Sequence, residues 1–116
     1  MATIAVAAGA VCVPLNPGFT ADEWQRYFGD LRAAALLTSA DVDSASRGMA
    51  HSLGIPVIDL LPLPDEGPGV LSLSGSARRC SVDIELASST DDAFILLTSG
   101  TTSRPKMVPL THASAR

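Results

Sequence analysis

Residues 96–112 read LLTSGTTSRPKMVPLTH. Five hydroxyl side chains fall within six positions, Thr98, Ser99, Thr101, Thr102 and Ser103, with Gly100 among them and the only lysine of the chain, Lys106, just beyond. The apolar run AFILL at 93–97 leads into them. A short, strongly apolar run followed by small and hydroxyl residues reads as a buried strand that opens into a loop. In an open parallel sheet, ligands bind outside the carboxyl ends of the strands, so this loop is well placed to meet one. Gly100 lets the backbone turn and bring its N–H groups close to an anion. Each hydroxyl can donate one hydrogen bond, and Arg104 and Lys106 supply charge. Hydrogen bonds to charged groups contribute about 1.5–3 kcal/mol each, so several convergent donors can hold a polyphosphate. Pro105 restrains the chain beside the lysine.

Upstream, strands and helices alternate. The first dozen residues are small and apolar. They read as the end of a buried helix that leads through Gly9 into a short strand at 11–15. PLNPG at 14–18 is turn chemistry. In TADEWQRYFGDLR, 20–32, Thr20 and Glu23 form a capping box, and Trp24, Tyr27, Phe28 and Leu31 line one face of a helix. AAALLT at 33–38 reads as a buried strand. A second helix is predicted over 42–53, with Val42, Ala45, Met49 and Leu53 inward and Gly54 as its stop. His51 falls in its last turn, where a structural or surface role is expected. IPVIDL at 55–60 is a third strand, which Pro56 makes start late or lie near an edge. Residues 61–79, rich in proline, glycine and serine, read as a long surface connection with a short strand at 70–73. The predicted fold is therefore α/β, a mainly parallel sheet with flanking helices, within one domain over 1–116.

Composition narrows the function classes. Of 116 residues, 47% are hydrophobic and 17% charged, which argues against disorder. A chain of this length buries roughly 65% of its unfolded surface, so its core is modest. The net charge of −4 and the scattered cations exclude a nucleic-acid footprint and disfavour an anionic membrane surface. No apolar run approaches the length of a membrane span. The apolar start has no basic residue near it, so it does not read as a secretory leader. Cys12 and Cys80 lack metal-ligand spacing and read as buried thiols of a cytoplasmic protein.

Several loop chemistries compete for 98–106. A Walker A loop fails, because counting from Gly100 puts Pro105 where the second glycine belongs and Met107 where the hydroxyl belongs. Ser103 to Lys106 spells S-x-x-K, but its partner K-T-G cannot exist in a chain with one lysine. SLSGS at 72–76 lacks the spacing of a nucleophile elbow. On composition alone, an ordinary Ser/Thr/Gly turn between two buried segments remains open.

The string itself carries more. TSGTTSRPKMVPLTH resembles the phosphate-binding signature of the adenylate-forming superfamily, which includes acyl- and aryl-CoA synthetases, the adenylation domains of nonribosomal peptide synthetases, and luciferase. The family pattern is roughly [YLF]-T-S-G-[ST]-T-G-x-P-K-G-V-x-x-[ST]-H. About eighty residues upstream, AAGAVCVPLNPGFTADEWQRYFGDLRAAALLT at 7–38 resembles the family's A-G-A-x-x-V-P-L-[ND]-P segment with its following helix and strand. Two segments in the right order make the match specific, and it covers nearly the whole chain.

The resemblance implies a two-step ligase that uses ATP with Mg²⁺ and a thiol acceptor such as coenzyme A. A carboxylate is activated as acyl-AMP, and the thiol then takes the acyl group. Thr98, Ser99, Gly100, Thr101 and Thr102 match the part that wraps the β- and γ-phosphates, and Lys106 matches the loop lysine that neutralises pyrophosphate charge. Ser103 and Met107 depart from the pattern, each standing where glycine is usual; Met107 is benign if its backbone stays at negative φ. The resemblance also implies that the acid pocket, the Mg²⁺ ligand and the C-terminal catalytic lysine lie elsewhere. Thr111 resembles an N-cap, as though a helix begins there. The expected object is a piece of the N-terminal domain, inactive alone, whose partners are nucleotide phosphates and the remainder of the ligase. The alternative is a non-catalytic remnant or interaction partner with no nucleotide binding.

Overall fold

The structure, a computed structural model, describes residues 9–41, 45–75, 86–98 and 105–115. It divides into two compact units, Pro17–Cys80 and a second made of Met1–Asn16 with Ser81–Arg116.

In the first unit, helix α1 spans Ala21–Leu31 and starts at the predicted capping box. The Thr20 N–H and hydroxyl donate to the Glu23 carboxylate at 2.8 and 2.9 Å, and the Glu23 N–H donates back to the hydroxyl at 3.4 Å. Hydrogen bonds from the Thr20 backbone, then from its side chain, hold the Glu23 carboxyl below its ordinary pKa. Phe19, just before the cap, lies edge-on to Trp24 in the next turn with centroids 5.7 Å apart, a hydrophobic staple that fixes how the chain enters the helix. Trp24, Tyr27 and Phe28 are buried, as the spacing predicted, and Trp24 and Phe28 sit 5.3 Å apart. Trp24 Nε1 is buried with no hydrogen-bond partner.

Strand β1 (Leu36–Ser39), helix α2 (Ala45–Ser52) and strand β2 (Val57–Pro62) follow, with β1 and β2 parallel. Helix α2 packs against α1 and β2. Its buried residues are Ser46 and Ala50; Ala45 and Leu53 are exposed and Met49 is half-buried, while Val42 lies outside the described residues. The predicted inward set is thus corrected by one position. Small side chains let the helix approach its neighbours closely, and ranking positions by hydrophobic bulk misses that. Arg47, between them, donates to Asp59 Oδ1 at 2.7 Å and to the Ser39 carbonyl at 3.1 Å, tying the helix to both strands. Both helices end alike. Ile55 N–H bonds the Ala50 carbonyl and Gly54 N–H that of His51; Ala33 N–H bonds Phe28 and Arg32 N–H bonds Gly29. This is the Schellman arrangement, and it needs a left-handed residue at its turn. Gly54 fills that place at φ 69°, and Arg32 fills it at φ 48°.

β2 begins directly after Pro56, as expected of a late start, but it is the central strand of three. The segment read as a connection contains the end of β2, a 3₁₀ turn at Pro64–Glu66 and strand β3, Leu71–Gly75, antiparallel to β2. Gly75 is opposite Ile58, and a Cβ there would collide with the Val57 carbonyl oxygen.

The second unit is a hairpin of β4 (Asp92–Thr98) and β5 (Lys106–Thr111), antiparallel. The register slips between Asp92 and Phe94, leaving Ala93 as the extra residue. Ala93 instead accepts from the Cys12 N–H at 2.9 Å, and the Ile95 N–H donates to the Cys12 carbonyl at 3.0 Å. That isolated parallel bridge to Phe94 is what remains of the strand predicted at 11–15. Pro109 sits within β5 opposite Ile95. Beyond the hairpin, the Thr111 hydroxyl accepts from Ser114 N–H at 3.3 Å and its carbonyl from Ala115 N–H at 3.0 Å, so Thr111 does cap a helical turn. Parallel pairing is present, in β1–β2 and at Cys12. The other described pairings are antiparallel, so "mainly parallel" overstates the described sheets.

Candidate functional site

The hairpin sets the candidate residues in place. Thr98 is the last residue of β4 and Lys106 the first of β5, and they are direct cross-strand partners. Opposed residues share a face, so Thr98 and Lys106 stand side by side on the last rung of the hairpin ladder. Both are exposed. The Thr98 hydroxyl donates to the Lys106 carbonyl at 3.4 Å. Ser99, Gly100, Thr101 and Thr102 lie outside the described residues, as do Ser103 and Arg104.

Alternation continues down the strands. Leu96 with Val108 and Phe94 with Leu110 share the face of Thr98 and Lys106; Leu97 with Met107 and Ile95 with Pro109 take the other. Met107, one of the two departures from the family pattern, therefore lies on the face opposite the lysine. Arg32 is the one non-glycine with positive φ among the described residues, so Met107 meets the condition under which its replacement of glycine is benign. Leu96, Met107 and Val108 are each more than a third exposed, so both hairpin faces show apolar surface.

Other residues noted in the sequence contribute less. Cys12 is half-buried and unpaired, and Cys80 lies outside the described residues. His51 is exposed in the last turn of α2, consistent with a surface role. His112, the final position of the resemblance, donates its backbone N–H to the Asp91 carbonyl at 3.0 Å, while its Nε2 is buried without a partner. Among the described residues, no group of three or more His, Cys, Asp or Glu could hold a metal ion, and no helix is long and apolar enough to cross a membrane. Sequence reasoning named Thr98 and Lys106, which the structure pairs across the hairpin, but missed β5. Its residues, KMVPLT, give no period-two alternation and include Pro109, so no local signal marked it as a strand.

A family model described as AMP-binding enzyme matches residues 2–116. The chain is 38% identical over 108 residues to the oxalate–CoA ligase of Arabidopsis thaliana, covering 92% of this chain and 21% of that one. Apo MatB from Rhodopseudomonas palustris superposes with a TM-score of 0.62 at 25% identity, covering 96% of this chain and 21% of the other. An ATP-bound RpMatB–BxBclM chimera gives 0.64 at 27%, covering 96% and 22%. The chain thus spans about a fifth of the length of each of these proteins.

Proposed function

This chain belongs to the AMP-binding enzyme family, and from that premise we propose that 98–106 is the phosphate grip of an ATP-dependent acid–thiol ligase. The single observation that supports this most is the opposition of Thr98 and Lys106 across the last rung of the hairpin. It sets the chain's one lysine beside the segment 99–105, whose sequence holds four hydroxyl residues and Gly100. The relatives support the reaction class: one is named an oxalate–CoA ligase, and one solved neighbour is titled as ATP-bound.

In this reading residues 1–116 are part of one AMP-binding domain, with Thr98, Ser99, Gly100, Thr101, Thr102 and Lys106 as the nucleotide-binding set. A carboxylate displaces pyrophosphate from ATP to give acyl-AMP, and a thiol such as coenzyme A takes the acyl group. The loop positions the β- and γ-phosphates, and the Lys106 ammonium offsets the negative charge that develops on the departing pyrophosphate. Mg²⁺ would enter with the nucleotide. The described residues offer it no cage. The acid pocket belongs to the rest of the ligase, so this stretch alone binds phosphate without completing ligation.

Titration of the chain with ATP and with pyrophosphate tests the reading. Saturable binding that Lys106→Ala weakens about tenfold or more is expected, since one charged hydrogen bond is lost. No saturable binding, with Lys106→Ala indistinguishable from the parent, returns the non-catalytic alternative. ATP–pyrophosphate exchange dependent on a carboxylate would overturn the claim that this stretch is inactive alone.

A further inference from the structure

We propose that strand β3 is the seam of a homodimer, pairing antiparallel with β3 of a second copy about a two-fold axis at Ser72. Among the described strands, the sheet of the α/β unit has β1 at one edge and β3 at the other, and the two edges differ. On β1, the Leu36 and Ala40 N–H groups bond to the Pro56 and Leu60 carbonyls, so Leu37 and Ser39 turn their backbone groups outward. Arg47 takes the outward Ser39 carbonyl at 3.1 Å and Asp59 Oδ1 at 2.7 Å, which closes that edge. On β3, the Leu63 N–H donates to the Val70 carbonyl, so Val70, Ser72 and Ser74 turn towards β2. Leu71 and Leu73 therefore turn their N–H and C=O groups outward, and no hydrogen bond among the described residues engages them. The strand reads LSLSG, with no charge and no proline to repel a neighbour, and Leu73 is 52% exposed. An edge left in this state invites another strand.

The pattern of β3 favours its own copy. With the axis at Ser72, Leu71 of each copy opposes Leu73 of the other, and those rungs exchange both backbone bonds. Ser72 opposes Ser72 on the closer, non-hydrogen-bonded rung, where the two hydroxyls can bond. The contact is isologous and closes on itself, because the edge that remains on each copy is the one Arg47 blocks. A seam this short falls below the roughly 1,600 Å² of a standard interface, so association in the roughly micromolar-to-millimolar range is expected.

Sedimentation velocity of the full chain over a concentration series tests the seam. Leu73→Pro removes an N–H that faces away from β2, so it breaks the seam without costing the monomer a ladder bond. A monomer–dimer equilibrium is expected in the parent, weakened about tenfold or more in Leu73→Pro, since a hydrogen bond is lost on each side of the axis. A parent that stays monomeric throughout overturns the proposal. So does association that Leu73→Pro leaves unchanged; if Val108→Thr weakens it instead, the contact lies on the hairpin. Cross-linking reads the register in a chain that keeps Leu73. In a Cys12→Ser, Cys80→Ser background, Ser72→Cys should form an intermolecular disulfide under mild air oxidation, because mates on that rung lie about 4.5 Å apart. Ser74→Cys should not, since it stands about 13 Å along the strand from its mate, beyond the reach of a disulfide. Equal cross-linking of the two overturns the pairing. Exchange of the Leu71 and Leu73 amides should slow as concentration rises. Full protection already present in dilute protein would mean that the same copy covers the edge, and it overturns the proposal too. No nucleotide enters these readouts, so the phosphate-loop reading stands or falls separately.

Discussion

The α/β unit and the hairpin unit divide their labour in opposite ways. Of the large described side chains that are buried, Trp24, Tyr27, Phe28 and Val57 all belong to the α/β unit, while the hairpin unit buries Ala93. The hairpin instead holds the candidate chemistry, with Leu96, Met107 and Val108 left more than a third exposed. An aromatic staple, a capping box, two Schellman ends and an Arg47–Asp59 pair each fix one part of the α/β unit locally. The hairpin relies on its ladder and on the bridge at Cys12. Order in the first unit comes from packing, and order in the second from backbone pairing.

The largest break in this contrast should come from Trp24→Ala. Removing a buried indole from the aromatic cluster is expected to destabilise the α/β unit by about 3–5 kcal/mol, read by urea unfolding. Amide exchange in β4 and β5 should then lose protection less than that in α1; equal loss in both would mean that the units are not energetically separable. Gly75→Ala comes next, at about 1–3 kcal/mol, since a methyl must push the Val57 carbonyl out of the β2–β3 ladder. Thermal melts of that variant should show the loss even though the residue is exposed.

The two helix ends offer an internal control. Arg32 and Gly54 occupy the same left-handed position, so Arg32→Gly should stabilise and Gly54→Ala destabilise, each by about 1 kcal/mol. Two shifts of the same sign would refute the shared motif. The smallest stability change is expected from Val108→Thr, within about 0.5 kcal/mol, because its exposed face contributes little packing to the described unit. Light scattering should nonetheless show that variant associating less. A pH effect sharpens the picture of α1 without a large energy. The Glu23 carboxyl lies below its ordinary pKa when folded, so its support for the helix is complete above that ordinary value. It fades as pH falls through the lowered one. Helicity of the parent should decline over that window, whereas Glu23→Gln should show no such component.

What could be read in advance follows from how local each signal is. The capping box and the 3.6-residue aromatic spacing lie within a dozen residues, so α1 was legible together with its buried face. β4 was legible because AFILL is too short and apolar for much else. The face of α2 was not, because its contact uses Ser46 and Ala50 instead of the larger Met49. β5 was hidden because a strand that opens on lysine and contains proline is recognised only once its partner is known. β3 was half visible in LSLS, with prolines and glycines suggesting a loop around it. For the site, the string alone singled out Thr98 and Lys106 through resemblance. Their opposition across a rung is a matter of register, which no local pattern states. Ser99, Gly100, Thr101 and Thr102 rest on the resemblance alone.

Pro109 has a consequence for how copies of this chain meet. In an antiparallel pair, opposed residues either exchange their backbone groups or both turn them away. Ile95 turns its amide towards Cys12, so its partner Pro109 faces outward from the hairpin. At that rung the outer rim of β5 presents a ring where a templating strand would seek an amide hydrogen. A sticky sheet surface is thereby paired with a rim that resists fibril-like growth, and any clumping should stay amorphous and reversible.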